Sequence, residues 1–228
     1  MSCYAGPEIS NDSLVLCLDS NNTKSYPGSG TTWFDLSPSK LNFTVNASYI
    51  NSTGLLSGAS ASSESTALLD NDIHSIFFMI RFESNASYPN GFSGSWEKIL
   101  SYNAGGSDRT PGVWRYPSQR YIHWRYDPAN TGNDFGTIHS DSFTYYVNTW
   151  YYVGLTKNGS ASKSYINGKK FADATVASPK TAGSAAITFW ESYTLSSATL
   201  NNVHVYNRAV SDAEVLQNFN ALRGRFGI

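Results

Sequence analysis

Hydrolysis of a glycoside needs two carboxylates held on one face, and a strand supplies them from acids two residues apart, whose side chains point the same way. Among the 17 acidic residues such pairs occur at Asp70/Asp72 and Asp212/Glu214. The first pair lies in a stretch rich in Ser, Asp and Asn, and the second opens a helix. No Glu-x-Asp-x-Glu strand is present, so a glycoside hydrolase is disfavoured and no catalytic residue is assigned. There is no Gly-x-Ser-x-Gly elbow, and His74, His123, His139 and His204 are too scattered to nominate a base. Two cysteines without paired histidines leave nothing at zinc-ligand spacing. For calcium, Asp70-Asn71-Asp72 lacks the glycine of an EF-hand loop and carries Arg81 where the distal Glu would stand. The remaining candidates for that ion are loop oxygens of Asp19, Asn21, Asn22 and Asn201, and structural turn roles are the preferred reading of them.

The most ligand-like stretch is VWRYPSQRYIHWRYD, Val113 to Asp127. A turn at Pro117-Ser118 makes it a strand pair. One parity of the second strand, Ile122, Trp124 and Tyr126, then belongs to the core, and the other displays Tyr121, His123, Arg125 and Asp127. Aromatic and polar groups on one face suit a sugar, which offers an apolar ring face and a rim of hydroxyls. An aromatic-rich strand pair with an ordinary polar exterior has the same pattern.

These residues must be positioned by strands. Short runs rich in Val, Ile, Tyr, Phe and Trp, bounded by Gly, Pro, Asn and Ser, recur at 14–18, 75–82, 97–102, 112–116, 121–126, 149–156, 162–166, 169–176, 186–191 and 198–206. That spacing predicts an all-β fold of two antiparallel sheets. Asn158-Gly159 and Asn167-Gly168 sit between strands as type I′ turns, making a three-strand meander from Trp150 to Val176. Long connections are expected at 20–39, 57–74, 103–111 and 127–141. Residues 1–13 read as a loosely held arm and 14–228 as one domain.

One helix is expected. Ser211-Asp-Ala-Glu214 writes a capping box, Val210 can staple onto Val215, and Val215, Leu216, Phe219 and Leu222 make an apolar stripe. Arg223-Gly224 is expected to end it.

Composition narrows the partners. Only 14% of residues are charged against roughly 25% in an average domain, and the net charge is −1. No basic footprint for nucleic acid results, and no apolar run reaches the roughly 20 residues of a membrane-spanning helix. The start, MSCYAGPEISNDS, has neither the basic nor the apolar region of a signal peptide, so export by its own sequence is not expected. Cys17, inside LVLCLD, reads as a buried free thiol.

The block WYYVGLTKNGSASKSYINGKKFA, then ITFWES and ATLNNVHVYNRAVSDAEVLQNFNA, resembles laminin-G-type, concanavalin A-like jelly rolls. The motif residues are Trp150, Tyr165 to Gly168, and Tyr206 to Glu214. The stretch Gly6 to Ser37, with LVLCLD and SYPGSGTTWFDLS, resembles the opening of such domains in structural proteins of large tailed bacteriophages. Those continue Gly-Asn-Gly-Asn-Asn-Gly where this chain reads PSKLNFTVN, and carry an acidic pair where it has Asn201-Asn202. The resemblance implies a jelly-roll sandwich with one C-terminal helix, and a non-enzymatic protein made in the host cytoplasm and carried on the virion surface. As a capsid decoration or accessory fibre subunit it would bind other virion proteins of capsid or tail, copies of itself, and a host-surface glycan. A calcium-assisted lectin module is the alternative.

Overall fold

The computed structural model describes residues 8–84, 96–102, 111–116, 122–126, 145–175, 183–191 and 198–228. The strands are β1 (Leu14–Asp19), β2 (Thr32–Trp33), β3 (Phe43–Thr44), β4 (Ile50–Asn51), β5 (Gly54–Leu56), β6 (Ala61–Thr66), β7 (Ile73–Phe82), β8 (Glu97–Tyr102), β9 (Gly112–Arg115), β10 (Ile122–Arg125), β11 (Trp150–Asn158), β12 (Ala161–Ile166), β13 (Lys169–Thr175), β14 (Ala185–Phe189) and β15 (Ala198–Tyr206). They are followed by helix α1 (Asp212–Phe226). One sheet runs β13-β12-β11-β7-β15-β5-β4 with β1 also on β15, the other β10-β9-β8-β14-β6-β3-β2, and every pairing is antiparallel. The expected two-sheet jelly-roll sandwich with a C-terminal helix is the observed fold.

The core forms because both sheets alternate apolar residues inward. Leu16, Leu18, Ile76, Phe78, Ile80, Val153, Leu155 and Val205 from one sheet meet Phe43, Ile99, Val113, Ile122, Trp124, Ile187 and Phe189 from the other. The outer face of the first sheet carries a second cluster, Cys17, Phe77, Met79, Tyr152, Tyr165 and Tyr206, covered by Val210, Val215, Phe219 and Leu222. Strand β7 is therefore buried on both faces, which is why IHSIFFMIRF shows no polar alternation.

The capping box forms: Ser211 Oγ accepts from the Glu214 amide at 3.3 Å and the Ser211 amide donates to Glu214 Oε2 at 2.9 Å. Two expectations about the helix are corrected. Leu216 is 44% exposed and its place inside is taken by Asn218, whose side chain accepts from the Ser10 amide and donates to the Tyr206 hydroxyl. The helix also runs through Gly224 and stops at Gly227, at φ 69°, whose amide bonds the Arg223 carbonyl. Phe226 packs against Trp150 at 4.8 Å and Arg225 reaches Asp19. These contacts offset the ~1 kcal/mol that a helical glycine costs.

Among the strand expectations, the 57–74 connection contains β6, which pairs with both β14 and β3. Its sequence, ASSEST, lacks the bulky residues that mark a strand. Asn167 and Gly168 both take positive φ, as a type I′ turn requires. At the other hairpin β11 extends to Asn158, opposite Ala161, so the turn centres on Gly159-Ser160, with Gly159 at φ 61°. Toward the N-terminus, Glu8 to Ser10 are tied down: Gln217 donates to the Glu8 carbonyl, Ser10 Oγ to Glu214, and Tyr206 to the Ser10 carbonyl.

His204, on the outer face of β15, is 1% exposed. Burial drives its pKa from 6.5 down to about 4, against a smaller upward pull from Asp19 and with a small downward push from Arg225. The unfolded chain thus takes up a proton near pH 6.5 that the fold refuses, so this contribution is full above 6.5 and lost as pH falls toward 4. A depression of that size is worth about 3 kcal/mol. Urea unfolding at stepwise lower pH should show His204→Asn losing less stability than the parent across this window; parallel curves would refute the assignment.

Candidate functional site

Strands β8, β9 and β10 form one edge of the second sheet, and their registers place Lys98, Trp114 and His123 side by side. Alternation along β9 explains the arrangement. Val113 and Arg115 turn inward and Trp114 and Tyr116 outward, and on β10 Ile122 and Trp124 turn inward and His123 and Arg125 outward. Trp96, just ahead of β8, closes over this row. Its ring lies 4.8 Å from Tyr116, 4.9 Å from His123 and 6.3 Å from Trp114, each near edge-on.

Together Trp96, Trp114, His123 and Arg125 line a cavity of about 120 Å³. Trp96 is the exposed lip, at 39%, and the other three are buried. The Trp114 indole nitrogen has no acceptor among the described residues. Lys98 lies over the Trp114 ring at 5.1 Å and donates to Glu191 at 3.2 Å, and Glu191 also accepts from Ser101. The cavity is smaller than the roughly 300 Å³ that encloses a whole drug-sized ligand. It has room for one ring or a substituent, with the rest of a chain outside.

Of the four residues proposed from sequence, His123 and Arg125 come together on this wall, whereas Tyr121 and Asp127 lie outside the described residues. Ile122, Trp124 and Tyr126 are core, as expected. Trp96, Lys98 and Trp114 were not among the proposed site residues. The parity of Trp114 between Val113 and Arg115 could have identified it, but nothing in the sequence pairs β8 with β9.

Beneath the cavity, between the sheets, Arg115 and Glu97 form an ion pair at 3.1 Å with Arg115 fully buried. The guanidinium lies over Phe82 of the facing sheet at 5.6 Å. Burial lowers the Arg115 pKa to about 10, and Glu97 opposes that shift.

The other candidates have structural partners. Asp72 holds Lys157 at 2.9 Å; Asp212 accepts from Tyr165 and Lys163; Glu214 belongs to the helix cap and pairs with Arg208. Both oxygens of Asp19 accept from Arg225, at 2.9 and 3.0 Å, and Arg225 also donates to Asn202. Asn201 donates to Asn21 Oδ1 and to the Thr53 carbonyl. A guanidinium therefore occupies Asp19, the one carboxylate among these candidates. Among the described residues no group of three or more His, Cys, Asp or Glu is arranged to hold a metal ion, and no helix is long and apolar enough to cross a membrane.

The chain belongs to the concanavalin A-like lectin/glucanases superfamily, for the Laminin_G_3 family model matches residues 57–216. No curated protein matches it in sequence. Its fold is similar to that of a Trypanosoma rangeli sialidase solved with 2,3-difluorosialic acid as a covalent intermediate, at TM-score 0.67 and 16% identity over 95% of this chain and 34% of that one. The same sialidase with sialic acid superposes at TM-score 0.66 and 15% identity over 93% and 33%. The botulinum neurotoxin serotype D binding domain superposes at TM-score 0.66 and 16% identity over 92% and 52%. The chain thus spans about a third of the sialidase chains and half of the neurotoxin domain. At these identities the likeness is one of fold.

Proposed function

We propose that this chain is a non-enzymatic carbohydrate-binding module, displayed on the virion surface of a tailed phage as a capsid decoration or accessory fibre subunit. The observation that carries the sugar reading is the cavity of Trp96, Trp114, His123 and Arg125. It combines aromatic rings, an indole donor and a guanidinium at the edge of an otherwise Ser-, Thr- and Asn-rich molecule. Rings pack against the apolar face of a pyranose and the polar groups take its hydroxyls. Arg125 adds positive charge suited to a sugar carboxylate, and the sialic acid held by the sialidase, a third of whose chain shares this fold, favours the same class. The virion reading rests on the resemblance of Gly6 to Ser37 to phage structural proteins, and attachment to capsid or tail proteins goes with it.

A glycan array that includes sialylated and host-surface polysaccharides tests the sugar reading. The chain is expected to bind, and Trp96→Ala to lose up to about tenfold in affinity, the equivalent of one aromatic contact. Trp96 is exposed enough for its loss to leave the fold intact. Binding is expected to persist in EDTA, because Arg225 already engages Asp19. Silence across the array would overturn the reading, loss in EDTA would favour the calcium-assisted lectin, and release of new reducing ends would make the chain an enzyme. Locating the chain in an image of an assembled particle tests the virion role.

A further inference from the structure

Cys17 on β1 and His204 on β15 are direct partners in their antiparallel ladder. Cross-strand partners hold their Cβ atoms about 4.5–5.5 Å apart on one face of the sheet. Both residues line a second cleft, of about 390 Å³, between that face, residues from Glu8 to Leu14, and helix α1. His204 is 1% exposed and its Nδ1 has no hydrogen-bond partner among the described residues. A buried polar atom left unsatisfied in a native fold asks for an explanation, and a ligand in the cleft supplies one.

We propose that Cys17 and His204 form a two-coordinate site for a soft monovalent cation of the Cu⁺ type. Thiolate is a ligand such ions select, and imidazole also suits copper. The described residues offer no third ligand to complete the tetrahedron zinc prefers. Charge points the same way: thiolate, monovalent cation and neutral imidazole sum to zero, whereas a divalent ion would leave a net positive charge in a buried place. Binding replaces the thiol proton, which leaves to solvent as the sulfur–metal bond forms, and no electron is transferred. Burial first, then Asp19 and Asp35, pushes the free thiol up to about 12, with Arg225 and Lys40 opposing, so the thiol keeps its proton until a metal displaces it. Those carboxylates have other partners: Asp19 holds Arg225, and Asp35 accepts from the amides of Cys17, Ser37 and Leu41. The site is independent of the sugar cavity, which lies on the other sheet.

Ag⁺ is a suitable probe because it is soft, two-coordinate and not reduced by thiols under mild conditions. A Cys3→Ser chain, which removes the other cysteine, is titrated by calorimetry while the imidazole nitrogens of His204 are followed by ¹⁵N resonance. One equivalent should bind, the His204 resonances should move, and Zn²⁺ should bind far more weakly. Adding Cys17→Ser or His204→Asn should lower the affinity by more than the roughly 100-fold typical of losing an outer-shell partner. No binding, an unmoved His204 resonance at saturation, or equal affinity for Zn²⁺ would each overturn the site, and the resonance keeps the test valid should a variant fail to fold.

Discussion

Glu97→Leu is expected to destabilise the fold by about 3–5 kcal/mol, the typical cost of removing one member of a buried ion pair. The pair lies between the sheets, with Arg115 fully buried and its guanidinium over Phe82. Burial already weakens the protonated state of Arg115 to a pKa of about 10 even with Glu97 present. Strands β8 and β9, which supply the pair inward, carry Lys98 and Trp114 outward at adjacent positions. The damage should therefore reach the sugar cavity, and glycan affinity should fall together with stability. Arg115→Met alone should behave similarly. The double variant Glu97→Leu/Arg115→Met should recover most of the loss, because two apolar residues of similar volume replace a pair whose desolvation cost rivals its attraction. Urea unfolding of the four chains gives the coupling directly; additive losses would show that the two side chains act separately.

Gly154→Ala should cost about 3 kcal/mol, at the upper end for overpacking a filled interior. A Cβ at this position would stand 2.0 Å from Phe77 Cδ1 and 2.6 Å from the Ile76 carbonyl oxygen. Phe77 has little room to retreat, since it stacks on Tyr152 at 5.4 Å and leans on Tyr165 at 5.9 Å. The backbone oxygen belongs to β7, which β11 pairs along its whole length. Gly154 thus lets β7, β11 and β12 carry a layer of three aromatic rings under helix α1. Gly224→Ala is the control: its Cβ would meet open space in a helical backbone, so a gain of about 0.5–1 kcal/mol is expected. Thermal unfolding separates the two signs, and a neutral Gly154→Ala would mean that Phe77 repacks freely.

The long strands were legible because each carries bulky residues in a period the backbone imposes, and the capping box because it is a local hydrogen-bond motif. What escaped depends on distant partners. Strand β6 is Ala, Ser, Ser, Glu, Ser and Thr, and it is a strand because β14 and β3 flank it. Asn218 faces inward because Ser10 and Tyr206 satisfy it, and no apolar stripe anticipates a buried amide. Gly224 fails to end the helix because Trp150 and Asp19 wait for Phe226 and Arg225 one turn later. At the candidate site, period-two alternation placed His123 and Arg125 on one wall but could not supply Trp96 or Lys98, which reach it through β8. The inward Glu97 and Arg115 ran against the expectation that charge faces water.

The first and last strands of the sheet lie against each other with Leu14 opposite Tyr206, so both chain ends leave from the same end of that ladder. Traction applied between the two ends would load its bonds in sequence, opening it as a zipper once the ties from Ser10 to Asn218 and Tyr206 give way. Mechanical resistance along that direction is low for geometric reasons, whatever the equilibrium stability. Held by one end and pulled at the opposite sheet, the same molecule is not loaded along this zipper direction.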